Sequence, residues 1–245
     1  MNQLNVNIKL KQHQHHGDEN SFDVIKNLHF EQQSDQFICL VGPSGCGKTT
    51  LLNIIGGLDN NYEGDIQIDE QIGTPNASFV FQTPRLLPWC NVLENIQLAN
   101  ETDISPDTIE QLLLELGLKN SLNSYPHHLS LGMQRRVALA RAFSVNSDLL
   151  LMDEPFVSLD QPTARKARQL LLRLWQSQPK TLIFVTHDIE EAIQLADRIL
   201  FLSDSPSTII DDIAITTPRS ERTPEHINSF RNELRTEHLH LAHLL

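Results

Sequence analysis

Nine consecutive residues have the types and spacing of a phosphate-binding loop: Gly42, Pro43, Ser44, Gly45, Cys46, Gly47, Lys48, Thr49 and Thr50. An apolar run at 37–41, typical of a buried strand, precedes them, and residues 51–55 have a helical pattern. Glycines let the backbone curl so that successive N–H groups point inward, and the helix dipole adds positive potential. Lys48 can then reach the β- and γ-phosphates, and Thr49 can bind Mg²⁺. The loop therefore predicts binding of a nucleoside triphosphate.

Other polar side chains directly follow apolar runs that have the pattern of buried strands: Gln82, the pair Asp153 and Glu154, and His187. Because open α/β sheets bind ligands at the carboxyl ends of their strands, we expect these side chains to face the nucleotide. Asp153 can hold the water shell of Mg²⁺, and Glu154 can polarise the water that attacks the γ-phosphate. His187 can hydrogen-bond the γ-phosphate and hold Glu154 and the water in place.

The elements that must position these residues follow a pattern typical of an α/β fold. Residues 4–10 and 64–69 alternate apolar and polar side chains, which predicts strands. A buried strand is predicted at 78–82. From Pro84 onward, helical patterns at 92–99 and 106–116 predict a helical subdomain.

The composition suits one cytosolic domain. Among 245 residues, 19 are basic and 31 acidic, which gives a net charge of −12 and disfavours non-specific binding to nucleic acid or anionic lipid. No apolar run approaches the roughly 18 to 20 residues that span a bilayer, and no N-terminal pattern suggests export. Cys39, Cys46 and Cys90 lack the spacing of a disulfide framework or a zinc site. We expect Cys46 to be a tolerated small residue and not a redox switch.

Taken in order and spacing, the motifs resemble those of the ATPase subunits of ABC transporters. The most specific is Leu129-Ser130-Leu131-Gly132-Met133-Gln134-Arg135-Arg136, which adds a serine-glycine signature to the phosphate loop. The resemblance covers nearly the whole chain and includes Gln82, Asp153-Glu154, Ser158-Leu159-Asp160 and His187. Within the family, the stretches 86–89, 153–156 and 186–192, together with the tail at 217–222, are similar to the importer group for nitrate, sulfonates and taurine.

The resemblance implies a fold with three parts. The first is a P-loop NTPase (RecA-like) core of residues 1–86 and 146–205 that carries an antiparallel β subdomain. The second is an inserted helical signature subdomain at 87–145. The third is a C-terminal tail and helix at 206–245.

The resemblance also implies that ATP and Mg²⁺ are used by two copies facing head to tail. Ser130 and the Gly132 N–H then contact the γ-phosphate held by the opposite phosphate loop, and Asp160 crosses the dimer interface. Gln82 senses Mg²⁺ and touches an integral membrane permease, to which dimer closure is passed. The implied setting is the cytoplasmic face of the inner membrane, with a homodimer or a related second subunit, an external solute-binding protein as an indirect partner, and no nucleic acid.

The chain departs from the family pattern at three points. Leu131 stands where the family usually has a glycine, and Met133 replaces the usual glutamine, a change that the importer group often shows. A leucine needs a negative φ and adds bulk beside the phosphate. The aromatic residue that stacks on adenine is missing; His16 is nearest that position by spacing, and Phe22 is the other candidate.

Other classes of protein explain less of the sequence. A soluble ABC ATPase acting on DNA or ribosomes would need a long coiled coil, zinc-binding cysteines or tandem cassettes. A P-loop kinase would not account for Ser130 or His187. A regulatory cassette that binds ATP without turnover is opposed by Glu154 and His187, whereas Leu131 keeps it open.

Two histidine-rich stretches could bind a metal ion by proximity. They lie at 13–16 and at His238, His240 and His243. An exposed polar loop for the first and an exposed, frayed helix end for the second are the favoured interpretations.

Overall fold

The structure, a computed structural model, describes residues 3–14, 21–100, 106–157 and 159–244. The strands are β1 (Gln3–Gln14), β2 (Ser21–Gln33), β3 (Phe37–Val41), β4 (Glu63–Ile68), β5 (Gln71–Ile72), β6 (Ala77–Val80), β7 (Leu149–Asp153), β8 (Thr181–Thr186), β9 (Arg198–Leu202) and β10 (Ile209–Ala214). The helices are α1 (Lys48–Ile55), α2 (Val92–Gln97), α3 (Pro106–Glu115), α4 (Leu131–Ser144), α5 (Gln161–Ser177), α6 (Ile189–Leu195) and α7 (Pro224–Glu237). Within the described ranges, no helix is both long and apolar enough to cross a membrane.

The chain divides into two compact units, one within 1–76 and 180–245 and the other within 77–179. In the first unit, an antiparallel sheet has the strand order β2–β1–β4–β5. The alternating residues Leu4, Val6 and Ile8 are fully buried, and Val6 lies opposite Phe30 of β2 and Ile66 of β4. The alternation in the sequence thus reflects a sheet with one face packed on the core.

Parallel strands of the first unit bring two predicted site segments to one edge. Strands β9, β3 and β8 lie side by side and parallel, and β10 adds an antiparallel edge to β9. Every residue of β3 is buried. Val41, the last residue of β3, lies opposite Thr186, the last residue of β8. The phosphate loop and His187 therefore begin at the same edge of these strands.

The second unit contains the parallel pair β6 and β7, in which Val80 lies opposite Met152. Its helices include α2, which begins with a capping box formed by Asn91 and Glu94. Helix α4 packs against α2, α3 and α5. Within the described part of 87–145, the regular elements are α2, α3, α4 and short 3-10 turns. The division of the chain into core, helical subdomain and tail stays a prediction.

Two elements differ from the sequence-based expectations. The strand predicted at 78–82 ends at Val80, so that Gln82 lies beyond it in a turn. Pro84 lacks the N–H that a continuing strand would donate to its neighbour, which limits how far the strand can extend. Strand β10 was not predicted, because Asp211 and Asp212 interrupt its apolar pattern at a partly exposed edge.

Two arginines of the tail satisfy the carbonyl groups at the C-terminal end of α6. Arg222 is buried and donates to the carbonyls of Ile193 and Ala196 at 3.0 and 2.6 Å, and Arg219 donates to that of Leu195 at 2.8 Å. Such carbonyls have no partner inside a helix. Burial, with the nearby Arg219 charge, lowers the pKa of Arg222 to about 10. The tail is thus anchored by charge-assisted hydrogen bonds.

We expect Arg222→Met to lower the free energy of unfolding by about 3 kcal/mol, because each buried carbonyl left unpaired costs about 1–3 kcal/mol. Thermal unfolding would show this as a fall in Tm of roughly 6–12 °C. The matched control is Arg235→Met on α7, whose side chain is exposed. Equal Tm values for the two variants would contradict an anchoring role for Arg222.

Candidate nucleotide-binding site

The turn from β3 into α1 depends on two glycines with left-handed backbone. Gly45 has a φ of 81°, and Gly47, the residue before α1, has a φ of 107°. A Cβ atom at Gly47 would lie 2.9 Å from Cγ1 of Val24, whereas one at Gly45 would meet nothing within 4 Å. Gly47 is therefore required both for its backbone conformation and for close packing, and Gly45 leaves the outer side of the loop accessible.

Lys48 folds back over this turn. Its side chain is 5% exposed, and Nζ donates to the main-chain carbonyls of Gly42 and Pro43, both at 2.7 Å. Thr49, the next residue, is exposed. Burial raises the pKa of the Cys46 thiol despite the Lys48 charge, which makes the reactive thiolate scarcer. This is consistent with Cys46 as a packing residue.

The turn after β8 fixes the backbone around His187. Thr186 Oγ1 donates to Glu191 Oε2 at 2.6 Å and accepts from the Asp188 N–H at 3.0 Å. The Asp188 carboxylate caps α6 by accepting from the N–H groups of Glu190 and Glu191 at 2.9 and 3.3 Å. His187 is exposed between these two anchors, at the edge where the phosphate loop begins.

In the second unit, the acidic pair and Gln82 follow neighbouring strands. Asp153 is 8% exposed at the end of β7, and Glu154 is the next residue. Because Val80 lies opposite Met152, Gln82 and Glu154 are both two residues beyond the paired positions. Glu154 has a φ of 42°, a conformation that costs a non-glycine residue about 1–3 kcal/mol and clusters at functional sites.

The signature residues form the start of α4. Ser130 is its N-cap and accepts a hydrogen bond from the Met133 N–H at 3.2 Å. Leu131 is the first helical residue, and its side chain is 43% exposed. A helical residue has a negative φ, so the leucine fits here without backbone strain. A Cβ atom at Gly132 would lie 3.4 Å from Cγ2 of Thr163, so this side of the glycine packs against α5.

Two arginines of α4 connect the signature to other predicted site segments of the second unit. Arg135 is buried and donates to the carbonyl of Pro155, the residue after Glu154. Arg141 donates to the carbonyls of Pro84 and Arg85, just beyond Gln82, at 3.1 and 3.0 Å. Burial lowers the pKa of both arginines. No motif predicted these contacts; the only signal was that α4 carries three arginines, Arg135, Arg136 and Arg141.

Asp160 is the N-cap of α5. Its carboxylate accepts from the N–H and the hydroxyl of Thr163 at 3.0 and 2.8 Å, and these hydrogen bonds lower its pKa. Its side chain is exposed. The carboxylate predicted to cross a dimer interface is therefore held in a fixed orientation by its own helix.

The adenine-stacking residue stays a prediction. His16 lies outside the described residues, as does Ser158 of the segment before α5. The alternative, Phe22, is 42% exposed, and its ring centroid lies 6.1 Å from that of His13. The exposure of Phe22 is compatible with stacking on a base.

A strand, a glycine turn closed by a lysine, and a helix N-terminus define a P-loop nucleotide-binding ATPase. The profile of the ABC transporter family matches residues 25–157. The aliphatic sulfonates import ATP-binding protein SsuB of Bacillus cereus is 42% identical over 207 residues, covering 82% of each chain. SsuB 2 of Pseudomonas syringae pv. tomato is 39% identical over 204 residues, covering 82% of this chain and 86% of that protein. The chain belongs to the ABC transporter family, as an ATP-binding subunit.

A solved structure confirms the fold. The ATP-binding cassette MJ0796, in a dimeric post-hydrolysis state bound to ADP and Pi, is 30% identical with a TM-score of 0.76. The match covers 88% of this chain and all of that one. The predicted α/β P-loop NTPase fold, the binding of ATP and the ATPase class are thereby confirmed, and so is the predicted general function as the ATP-hydrolysing subunit of an ABC importer.

We expect Gly47→Ala to weaken ATP binding at least about tenfold, since strain of about 1–3 kcal/mol would displace the loop amides. Titration with a fluorescent ATP analogue measures this. The matched control is Gly73→Ala, where a Cβ atom would meet only Ile68 Cδ1 at 4.0 Å. Unchanged affinity in a folded Gly47→Ala protein would refute the requirement for left-handed backbone there.

We expect Leu131→Gly to preserve or raise the ATPase rate. The leucine side chain is exposed at the helix start, so its removal opens space at the signature without leaving a cavity. Phosphate release under saturating ATP measures the rate. A large loss of activity would mean that the leucine is fitted to the nucleotide site of this protein.

Proposed function

We propose that this chain hydrolyses ATP to power the import of a small organic anion, with aliphatic sulfonates as the substrate class. The observation that carries the proposal is the phosphate loop closed by Lys48 in a chain about 40% identical to aliphatic sulfonate import ATP-binding proteins. The chain acts as a peripheral subunit on the cytoplasmic face of the inner membrane. Nitrate and taurine are the competing substrates of the same importer group.

In the proposed nucleotide site, the main-chain N–H groups of residues 44–49 bind the phosphates, since Pro43 has no N–H to donate. Lys48 exchanges its bonds to the loop carbonyls for bonds to the β- and γ-phosphates, since an ammonium donates more strongly to an anion than to a carbonyl. The hydroxyl of Thr49 and the carboxylate of Asp153 are oxygen donors of the kind that suits Mg²⁺. The ion would neutralise phosphate charge. Gln82 is the residue proposed to sense the bound ion.

Glu154 is the proposed base that polarises the attacking water, and His187 orients the γ-phosphate. The left-handed backbone of Glu154 supports this role, because a strained conformation is retained where the direction of a side chain matters. The fixed turn on either side of His187 supports the second role, because a positioned imidazole needs an immobile backbone.

The proposal includes a head-to-tail dimer with a second copy of this chain. Ser130 and the N–H of Gly132 stand at the N-terminus of α4, a helix of 14 residues whose dipole favours an anion there. The γ-phosphate held by the other copy is the anion, and binding it completes each site only when the dimer is closed. Asp160, held by Thr163, lies on the dimer face in this arrangement.

The segment after Gln82 is the proposed contact with the membrane permease. Its backbone is held by Arg141 and by Asn95, which is 1% exposed and bonds both the N–H and the carbonyl of Leu87. Trp89 at its end is 71% exposed. A large aromatic side chain on a fixed loop is a suitable anchor for a partner protein.

Capture of this chain from detergent-solubilised native membranes, with partners identified by mass spectrometry, tests the importer assignment. A multi-span permease should be recovered with the native protein, and Trp89→Ala should reduce its recovery severalfold. Leu58→Ala is the matched control, since this apolar residue is 59% exposed on the first unit. Recovery of only soluble proteins or nucleic acid, with ATP turnover intact, would favour a soluble ABC ATPase. Competition between alkanesulfonate, taurine and nitrate in reconstituted vesicles then identifies the substrate.

We expect Glu154→Gln to reduce the ATPase rate about 10²- to 10⁴-fold, the usual loss when a general base is removed, with ATP affinity unchanged. Single-turnover phosphate release and nucleotide titration measure the two quantities. Glu115→Gln at the exposed end of α3 is the control. A loss of only a few fold would remove Glu154 from the base role, and a native chain that binds ATP without turnover would indicate a regulatory cassette.

A further inference from the structure

Three side chains with metal-binding atoms meet at the edge strand of the first unit. Asp211 lies on β10, His238 follows the last residue of α7, and His240 lies in the 3-10 turn Leu239–Leu241. Oδ2 of Asp211 is 2.6 Å from Nδ1 of His238 and 3.0 Å from Nε2 of His240. All three ligand atoms lie within 4.8 Å of one another.

The two histidines lie on the segment that follows α7, and this segment is packed and hydrogen-bonded. The expectation of a frayed helix end is therefore wrong. The N–H of His238 donates to the carbonyl of Leu234 at 2.9 Å, and that of Leu241 donates to the carbonyl of His238 at 2.8 Å. Leu234 is 2% exposed and Leu241 is fully buried. These two leucines hold the backbone on both sides of the histidines, so that the rings are presented to Asp211 by a fixed turn.

The carboxylate of Asp211 is hydrogen-bonded to Nδ1 of His238 at 2.6 Å, and a bound cation would replace this hydrogen bond. The neighbouring Asp212 takes the guanidinium of Arg198, with Oδ1 at 2.6 Å from Nε and a second contact through Nη2. The carboxylate of Asp211 instead faces the imidazoles of His238 and His240, whose side chains are 31% and 53% exposed.

We infer that Asp211, His238 and His240 form a binding site for a zinc ion, with a fourth position open to water. Two imidazole nitrogens and one carboxylate oxygen are a donor set that zinc uses, and they favour zinc over Mg²⁺, which prefers oxygen ligands. Bonds of about 2.0–2.1 Å at tetrahedral angles place ligand atoms about 3.3 Å apart. The two spacings from Asp211 Oδ2, 2.6 and 3.0 Å, are shorter than this, so zinc binding requires the side chains to move apart by a few tenths of an ångström or more.

Zinc at this position would join the end of the tail to the outer strand of the sheet. Residues 211 and 238 are 27 positions apart, so the ion closes a long loop of chain that includes α7. Because the site exists only in the folded chain, the binding free energy of the ion would stabilise the folded state. The inference does not depend on the ATPase assignment, because none of the three residues belongs to the proposed nucleotide site.

Zinc binding by the purified full-length chain tests the inference. Competition with a chromophoric chelator, in excess Mg²⁺ to occupy sites that prefer oxygen ligands, measures affinity and stoichiometry. Native protein should bind one zinc ion at this site, and Co²⁺ should give the intense visible bands of tetrahedral coordination. We expect three variants each to weaken zinc binding at least about tenfold: Asp211→Asn, His238→Ala and His240→Gln. The loss of an outer-shell partner already costs about 10- to 100-fold in metal affinity, and a direct ligand should matter no less.

His243→Ala is the matched control, because this exposed histidine lies in the same tail outside the cluster. Thermal unfolding in the presence of a chelator checks that each variant is folded; His240→Gln changes a half-exposed ring and keeps the docked leucines. Zinc should raise the Tm of the native protein and of the control more than that of His240→Gln, because weaker binding gives a smaller shift at the same zinc concentration. Equal zinc affinity in all variants, or no binding by the native protein, would overturn the inference.

Discussion

The left-handed backbone at Gly47 is the constraint on which the nucleotide-binding part of the first unit depends. A residue with a side chain would be strained there and would collide with Val24, and the chain could not turn so sharply from β3 into α1. The sharp turn in turn lets Lys48 reach back to the carbonyls of Gly42 and Pro43. The strand, the loop and the helix therefore form a preorganised binding site. The conformational entropy of ordering the loop is lost during folding and not when the nucleotide binds.

The sequence predicted those parts of the fold in which local chemistry determines local geometry. The alternation in β1, the apolar run of β3 and the glycine spacing each depend on neighbouring residues, and all three predictions hold in the structure. Strand β10 was missed because its pairing with β9 is a long-range contact at an edge where polar side chains are tolerated. The strand before Gln82 was predicted too long, since the apolar Phe81 follows the last paired residue, Val80.

The candidate site could be predicted as a set of residues but not as a connected structure. Motif spacing singled out Ser130, Glu154 and Gln82, yet the guanidinium bonds of Arg135 and Arg141 that join their segments are tertiary contacts without a sequence signature. An arginine that donates to backbone carbonyls can pair with any residue type, because every residue has a backbone carbonyl. Pairs of this kind cannot be found from residue types alone, whereas an acid and a base can at least be matched by charge.

The hydrogen bonds of Arg141 join α4 to the segment that follows Gln82. Arg141 lies eleven positions after the N-cap Ser130, which at about 1.5 Å per residue is roughly 16 Å along the helix axis. If α4 shifts as a rigid body, its hydrogen bonds through Arg141 carry the shift to the carbonyls of Pro84 and Arg85. The exposed Trp89 on this segment would then move together with the group that Ser130 contacts. Communication over this distance requires no change of secondary structure, only translation of a rigid body.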